Sequence, residues 1–207
     1  MLVRSALVLS LVSLSACTSS RPPVGGSVEF DEITVRRINV IGPDGSYRVV
    51  LAGEDRFPDP VIGGREYSPR DIAPAGLAFF GLDGDEVGAI VVTGDSARHN
   101  AMLVLDYSNA DGPRLLSNDR GAGGYIAGLV VADRRPLDAD EVWGASPTRV
   151  GAVVNNGTSY VVLNDGRGKE RLILSVSEAG EAQILFLDGE GNVVRTIAAD
   201  GADAVGE

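Results

Sequence analysis

The chain has 207 residues and a formal net charge of −11, with 29 acidic against 18 basic side chains. Such a surface repels phosphate backbones and anionic lipid headgroups, which argues against nucleic acid as a partner and against direct headgroup binding. One cysteine and one histidine leave no material for a disulfide framework or a histidine-rich metal centre, so stability has to come from packing.

The first sixteen residues read as a signal peptide. Arg4 and the amino terminus give a positive start, and Leu7, Val8, Leu9, Leu11, Val12 and Leu14 form an apolar run too short to span a bilayer. The run closes on Leu14-Ser15-Ala16-Cys17, which resembles the lipobox of bacterial lipoproteins. That resemblance implies diacylglycerol on the Cys17 thiol, cleavage just before it and acylation of the new amino terminus, palmitate included. Two or three chains, at about 0.8 kcal/mol per buried CH₂, hold a protein durably at a membrane. Thr18, where an Asp would resemble an inner-membrane retention signal, points to the outer membrane facing the periplasm if the organism has two membranes. Residues 17–27 are then a lipidated cysteine and a flexible tether rich in Ser, Pro and Gly, about 15–20 Å in root-mean-square span.

From residue 28 to 198 the pattern is that of one all-β domain. Short β-branched runs alternate with turn chemistry: Arg37–Ile41, Gly42-Pro43-Asp44-Gly45 and Tyr47–Leu51; then Leu77–Phe80, Asp83-Gly84-Asp85-Glu86 and Val87–Val92. Met102–Leu105 follows, with a turn expected at Asp111-Gly112-Pro113 before Arg114–Leu116. Tyr160–Leu163 turns through Asp165–Gly168 into Arg171–Leu174, and Gln183–Leu187 through Asp188–Gly191 into Val193–Arg195. Asp-Gly pairs between β-branched runs are strong hairpin signals. The expected architecture is an antiparallel meander of hairpins forming a curled sheet, barrel or sandwich, with at most one short helix, at Pro136–Trp143. Residues 199–207 are expected to fray.

Two features bear on function. Runs such as Leu172-Ile173-Leu174 and Ile184–Leu187 are apolar on both faces, so the outer face needs covering by a second sheet, a loop or another subunit. The segment Glu54–Ala75 carries four prolines around Arg65-Glu66-Tyr67. A stretch this long without regular structure is commonly functional or disordered, and Arg65, Glu66 and Tyr67 are its candidate surface for a partner or ligand, with Ile62 and Tyr67 packing on the sheet.

Catalytic chemistry is scarce. His99 lacks a nucleophile elbow, and Gly166-Arg167-Gly168-Lys169-Glu170 lacks the Ser or Thr of a phosphate loop. Asp83, Asp85 and Glu86, and Asp188, Glu190 and Asn192, read as solvated turns, with calcium as an alternative for both and a glycosidase pair as one for Asp83 or Asp85 with Asp106. Arg48, Arg114 and Arg171, each opening a run after a glycine turn, read as cross-hairpin partners of turn aspartates rather than as an anion-binding stripe.

The order Arg37-Ile38-Asn39-Val40-Ile41, Asp44-Gly45, Arg48–Leu51, then Pro60–Tyr67 and Gly76–Ile90 resembles one end of an uncharacterised bacterial family over about half of the chain. The resemblance implies a fold and no catalytic residue. The expectation is a lipid-anchored, non-enzymatic protein of the bacterial cell envelope, without metal or cofactor. Its role would be a scaffold or protein-interaction module, acting on a protein partner or on further copies as a homo-oligomer. The rival reading is a small-ligand binder whose pocket is covered by the 54–75 loop.

Overall fold

The computed structural model describes residues 26–70, 72–136 and 146–199, and the backbone of 203–205. Cys17, the signal segment and all but Pro136 of the expected helix lie outside the described residues. The chain divides at Thr34/Val35 into two units, of which Val35–Glu207 holds the strands; the sequence pattern put the domain over 28–198.

The chain forms β1 (Arg37–Ile41), β2 (Tyr47–Ala52), β3 (Val61–Ile62), β4 (Arg65–Glu66), β5 (Ala75–Phe80), β6 (Glu86–Gly94), β7 (His99–Tyr107) and β8 (Ala110–Asp119). A 3₁₀ turn at Gly121–Gly123 leads into β9 (Tyr125–Ala132), β10 (Thr148–Asn155), β11 (Thr158–Asn164), β12 (Glu170–Val176), β13 (Ala182–Leu187), β14 (Val193–Ala198) and β15 (Asp203–Val205). Thirteen strands make one antiparallel sheet in chain order, interrupted only where β3 and β4 leave it as a separate two-stranded ribbon. β1 and β15 are its two edges, so the sheet is open and not a barrel. Within the tail expected to fray, Asp203–Val205 pair with β14 from Ile197 to Arg195.

One turn builds much of this sheet. At Gly42–Ser46, Gly81–Asp85, Asp165–Lys169, Ser177–Glu181 and Asp188–Asn192, the first residue's N–H donates to the carbonyl of the fifth, and the fourth residue's N–H to the carbonyl of the first. The fourth residue is always glycine, at φ between 77° and 94°. This is a three-residue hairpin loop: a type I turn followed by a left-handed bulge residue, for which glycine alone carries no Cβ penalty. The extra residue appears as a register shift at Val40/Ile41, Phe79/Phe80, Leu163/Asn164 and Phe186/Leu187.

Arginines lock two of these loops as expected, Arg48 to Asp44 at 3.0 Å and Arg171 to Asp165 at 2.5 Å, whereas Arg114 meets Asp111 at 3.4 Å within a single strand, β8. One turn is elsewhere than expected. Tyr107 pairs with Ala110, so the β7–β8 hairpin closes at Ser108-Asn109, and Asp111-Gly112-Pro113 lies inside β8. A bulge between Val104 and Asp106 accommodates the irregularity there, which is how a proline sits within a strand.

The core lies on one face of β2, β5, β6 and β7. Val50, Ala52, Ala78 and Phe80 form one buried cluster and Ala89, Val91 and Val104 another. Phe57 of the proline-rich segment packs against both, and Val61 against the first. The segment is therefore a strap over this face. Its packing residues are Phe57 and Val61, where the sequence suggested Ile62 and Tyr67.

The turn geometry predicts a paired mutational outcome. A Cβ at Gly45 or at Gly166 meets open space, but Gly45 has φ 83° and Gly166 is outside the left-handed region. Gly45→Ala should cost about 1–2 kcal/mol of unfolding free energy, while Gly166→Ala should be close to neutral. Denaturant midpoints of the two variants check this.

Candidate functional site

The strap ends in a partly buried ionic cluster. The Arg70 guanidinium meets the Glu86 carboxylate at 2.5 Å, with the Glu86 side chain 5% exposed. Arg70 also donates from Nε to the Pro58 carbonyl and from its backbone N–H to Asp59, and lies 5.2 Å from the Phe57 ring centre. One arginine thus ties both limbs of the strap to β6. Asp85 holds the ribbon: its two carboxylate oxygens accept the N–H groups of Gly63 and Gly64 at 2.6 and 2.7 Å. The carboxylates of the acidic turns are engaged within the fold. Asp83 accepts from the Asp85 N–H, Asp85 serves the ribbon and Glu86 faces Arg70. Asp188 is occupied by the N–H groups of Glu190 and Asn192 and by the Asn192 amide. No group of three or more His, Cys, Asp or Glu among the described residues is placed to hold a metal ion.

Beside Glu86, across the β7–β8 pair, Asp106 stands opposite Asp111. Among the described residues the buried Asp106 Oδ1 has no hydrogen-bond partner. Burial pushes the Asp106 carboxyl up to about 7, reinforced by the negative charges of Asp111 and Glu86 and opposed by Arg70 and Arg114. Burial also raises Glu86, against the pull of Arg70. Asp165 shows the opposite case. N–H groups of Arg167 and Lys169, together with Arg171, hold its carboxyl down at about 2. The same N–H groups are those a phosphate loop would need free, so Gly166–Glu170 is a hairpin turn.

Arg65 and Glu66 are exposed on β4, and the Arg65 guanidinium lies 5.0 Å over the half-buried Tyr67 ring. Glu66 joins Arg37, Tyr47, Asp55, Arg56, Phe57 and Asp59 around a pocket of about 360 Å³ between the strap and the sheet. His99 is exposed at the start of β7, opposite Gly94 and Asp119.

The larger feature is the sheet face opposite the strap. The pairing registers join Ile38, Leu51, Leu77, Ile90, Leu103 and Leu115 as successive cross-strand neighbours. The row continues without interruption through Leu129, Ala152, Val161, Leu174, Ile184 and Ile197. Twelve strands contribute one aliphatic residue each. Their exposure includes 36% at Ile38, 44% at Leu51, 56% at Leu115, 42% at Leu129 and 40% at Leu174. A flanking row, Val92, Ala101, Ser117, Ala127, Val154, Ser159, Val176 and Ala182, is likewise uncharged. Over β9–β14 this surface hollows into a groove of about 700 Å³ lined largely by Ala152, Val154, Val161, Leu174, Ile184 and Ile197, and no charged side chain enters its lining.

The sequence signal for this face was the runs that are apolar on both sides. Its continuity depends on register, which no single run carries. No protein-family model, curated protein or solved structure matches the chain.

The ionic cluster predicts a pH dependence. A carboxyl at about 7 in the folded state and near 4 when unfolded binds more protons folded than unfolded between those values. Stability on its account is highest below pH 4, falls as pH rises to about 7 and is level above. Asp106→Asn should flatten that slope in urea titrations between pH 5 and 8. Arg70→Ala leaves the buried Glu86 unpaired and should cost about 3 kcal/mol near pH 7, most of it regained in Arg70→Met/Glu86→Leu.

Proposed function

We propose that the protein is a lipid-anchored, non-enzymatic scaffold of the bacterial cell envelope, held to the membrane through Cys17 and presenting the open face of its sheet to protein. The observation that carries the reading is the unbroken aliphatic row across twelve strands. Strands about 4.8 Å apart and two rows about 7 Å apart, of twelve and eight residues, give an uncharged face of about 700 Å². The largest apolar patch on a typical monomer is about 300–600 Å² and is itself commonly functional. A surface of this size without charges or convergent polar groups suits protein association better than catalysis. The anchor fits the same role, because tethering concentrates a module at one surface and the acidic turns keep its body off anionic headgroups.

A second reading has its own observation. The pocket of about 360 Å³ between strap and sheet mixes Arg37 and Arg56 with Asp55, Asp59 and Glu66 around Tyr47 and Phe57, a lining suited to a small zwitterionic ligand.

Mass spectrometry of the membrane fraction tests the anchor. A diacylglyceryl group on Cys17 is expected, with Cys17→Ala releasing the protein or blocking its maturation. An unmodified Cys17 within an uncleaved precursor would sink the anchoring. The strap is tested by Arg65→Ala/Glu66→Ala. Both side chains are exposed, so stability should shift by no more than about 0.5 kcal/mol. Lost partner crosslinking in this variant, with stability kept, would move the binding surface to the ribbon. Crosslinking that persists leaves it on the sheet face.

A further inference from the structure

Within the reading above, which this inference rests on and deepens, we infer that the occupant of the open face is a second copy of the same chain, packed face to face across the aliphatic row.

The argument begins with what the chain has left to offer. A sheet with an apolar face requires a second layer. All described strands belong to the one sheet except β3 and β4, and that ribbon packs through Val61 against Val50, Ala52, Ala78 and Phe80 on the other face. The segment 137–145 is nine residues long and reaches at most about 30 Å fully extended. The row crosses eleven strand intervals, about 50 Å. A second copy supplies an identical sheet, and two sheets packed about 10 Å apart with interdigitating aliphatic side chains form a sandwich core.

Area and shape agree. A face of about 700 Å² lies within the roughly 600–1,000 Å² per partner of a stable, specific interface. The same face holds both halves of a self-complementary fit. Val92 and Leu115 on β6–β8 are more than half exposed, at 51% and 56%, beside the groove over β9–β14. A two-fold axis between these regions seats each copy's exposed Val92 and Leu115 over the other's groove, as an isologous interface requires. The twelve residues of the row carry no charge, so nothing in it demands a differently charged partner.

The test uses the full chain in its own membranes, with cysteine placed at Leu115 or Leu129 and, as an off-face control, at the exposed turn residue Glu178. A short bismaleimide should give a product of twice the chain's mass from Leu115→Cys and Leu129→Cys, but not from Glu178→Cys or the unsubstituted chain. Before crosslinking, the two face cysteines should react with a water-soluble maleimide at least about tenfold more slowly than the control, by the protection a closed apolar interface gives. Leu115→Arg should abolish the double-mass product of a Leu129→Cys chain while protease resistance of the domain is kept. An adduct with a different protein would overturn the second copy and leave the scaffold reading standing. Cysteines at 115 and 129 that label as fast as the control, with no protein adduct, would overturn both. The conservative Leu129→Cys keeps the outcome readable should Leu115→Arg fail to fold.

Discussion

Everything in this molecule follows from register. In a strand, successive side chains take opposite faces, so slipping one pairing by a residue turns every side chain of that strand over. Here the five-residue turns set the pairing. Each places a left-handed glycine at its fourth position, four of them add an extra residue to one strand, and each therefore fixes which residues of the next strand face the strap. Five repeats of that geometry, with the Asn156-Gly157 turn at φ 47° and 83° and the remaining hairpins, keep one parity across the sheet. The aliphatic row from Ile38 to Ile197 is the result of that repeated constraint, since no long-range contact beyond strand pairing is needed to align it.

Much of this was legible in the amino-acid sequence because turn chemistry is local. Asp44-Gly45, Asp83-Gly84, Asp165 with Gly168, and Asp188 with Gly191 mark hairpins on their own, and Arg48 and Arg171 find the expected turn aspartates. The turn at Asp111-Gly112-Pro113 was misread because Gly and Pro also mark bulges, and Ser108-Asn109 carries weaker turn chemistry. The Ser177–Glu181 hairpin was missed for want of an Asp-Gly pair, although Gly180 alone supplies the positive φ. The sites were less legible. Arg65 and Glu66 are exposed as expected, but Asp85 reaches across 22 positions to Gly63, and Arg70 reaches across 16 to Glu86. Pairings that far apart leave no trace in local pattern.

The strap and the open face are two solutions to one problem. Both faces of the sheet are apolar over much of its width, and a single chain can cover only one of them. The strap covers part of one face economically because four prolines restrict its unfolded states and because few contacts pin it: Phe57 against the sheet, Asp85 on the ribbon turn and Arg70 on Glu86. The ionic pin has a cost. Burying Glu86 beside Asp106 and Asp111 leaves three acidic groups near two arginines, and the imbalance falls on Asp106, which holds its proton to about pH 7.

The placement of charge completes the argument for the open face. Of the acidic residues described, Asp44, Asp83, Asp85, Asp165, Glu178, Glu181, Asp188 and Glu190 all sit in hairpin turns, at the ends of strands. Charge concentrated there makes end-to-end approach of two copies repulsive, by the same rule that keeps proteins of high net charge apart. The sheet edges offer hydrogen bonds, but short ones: β1 has five residues and β15 three, and short edges are a recognised protection against edge pairing. What remains without either charge or shortness is the broad aliphatic face. A chain selected only for solubility would place some of its 29 acidic side chains along that row, where a polar substitution costs little in an uncovered sheet. Their exclusion from twelve consecutive register positions supports the proposal that this surface is covered in use.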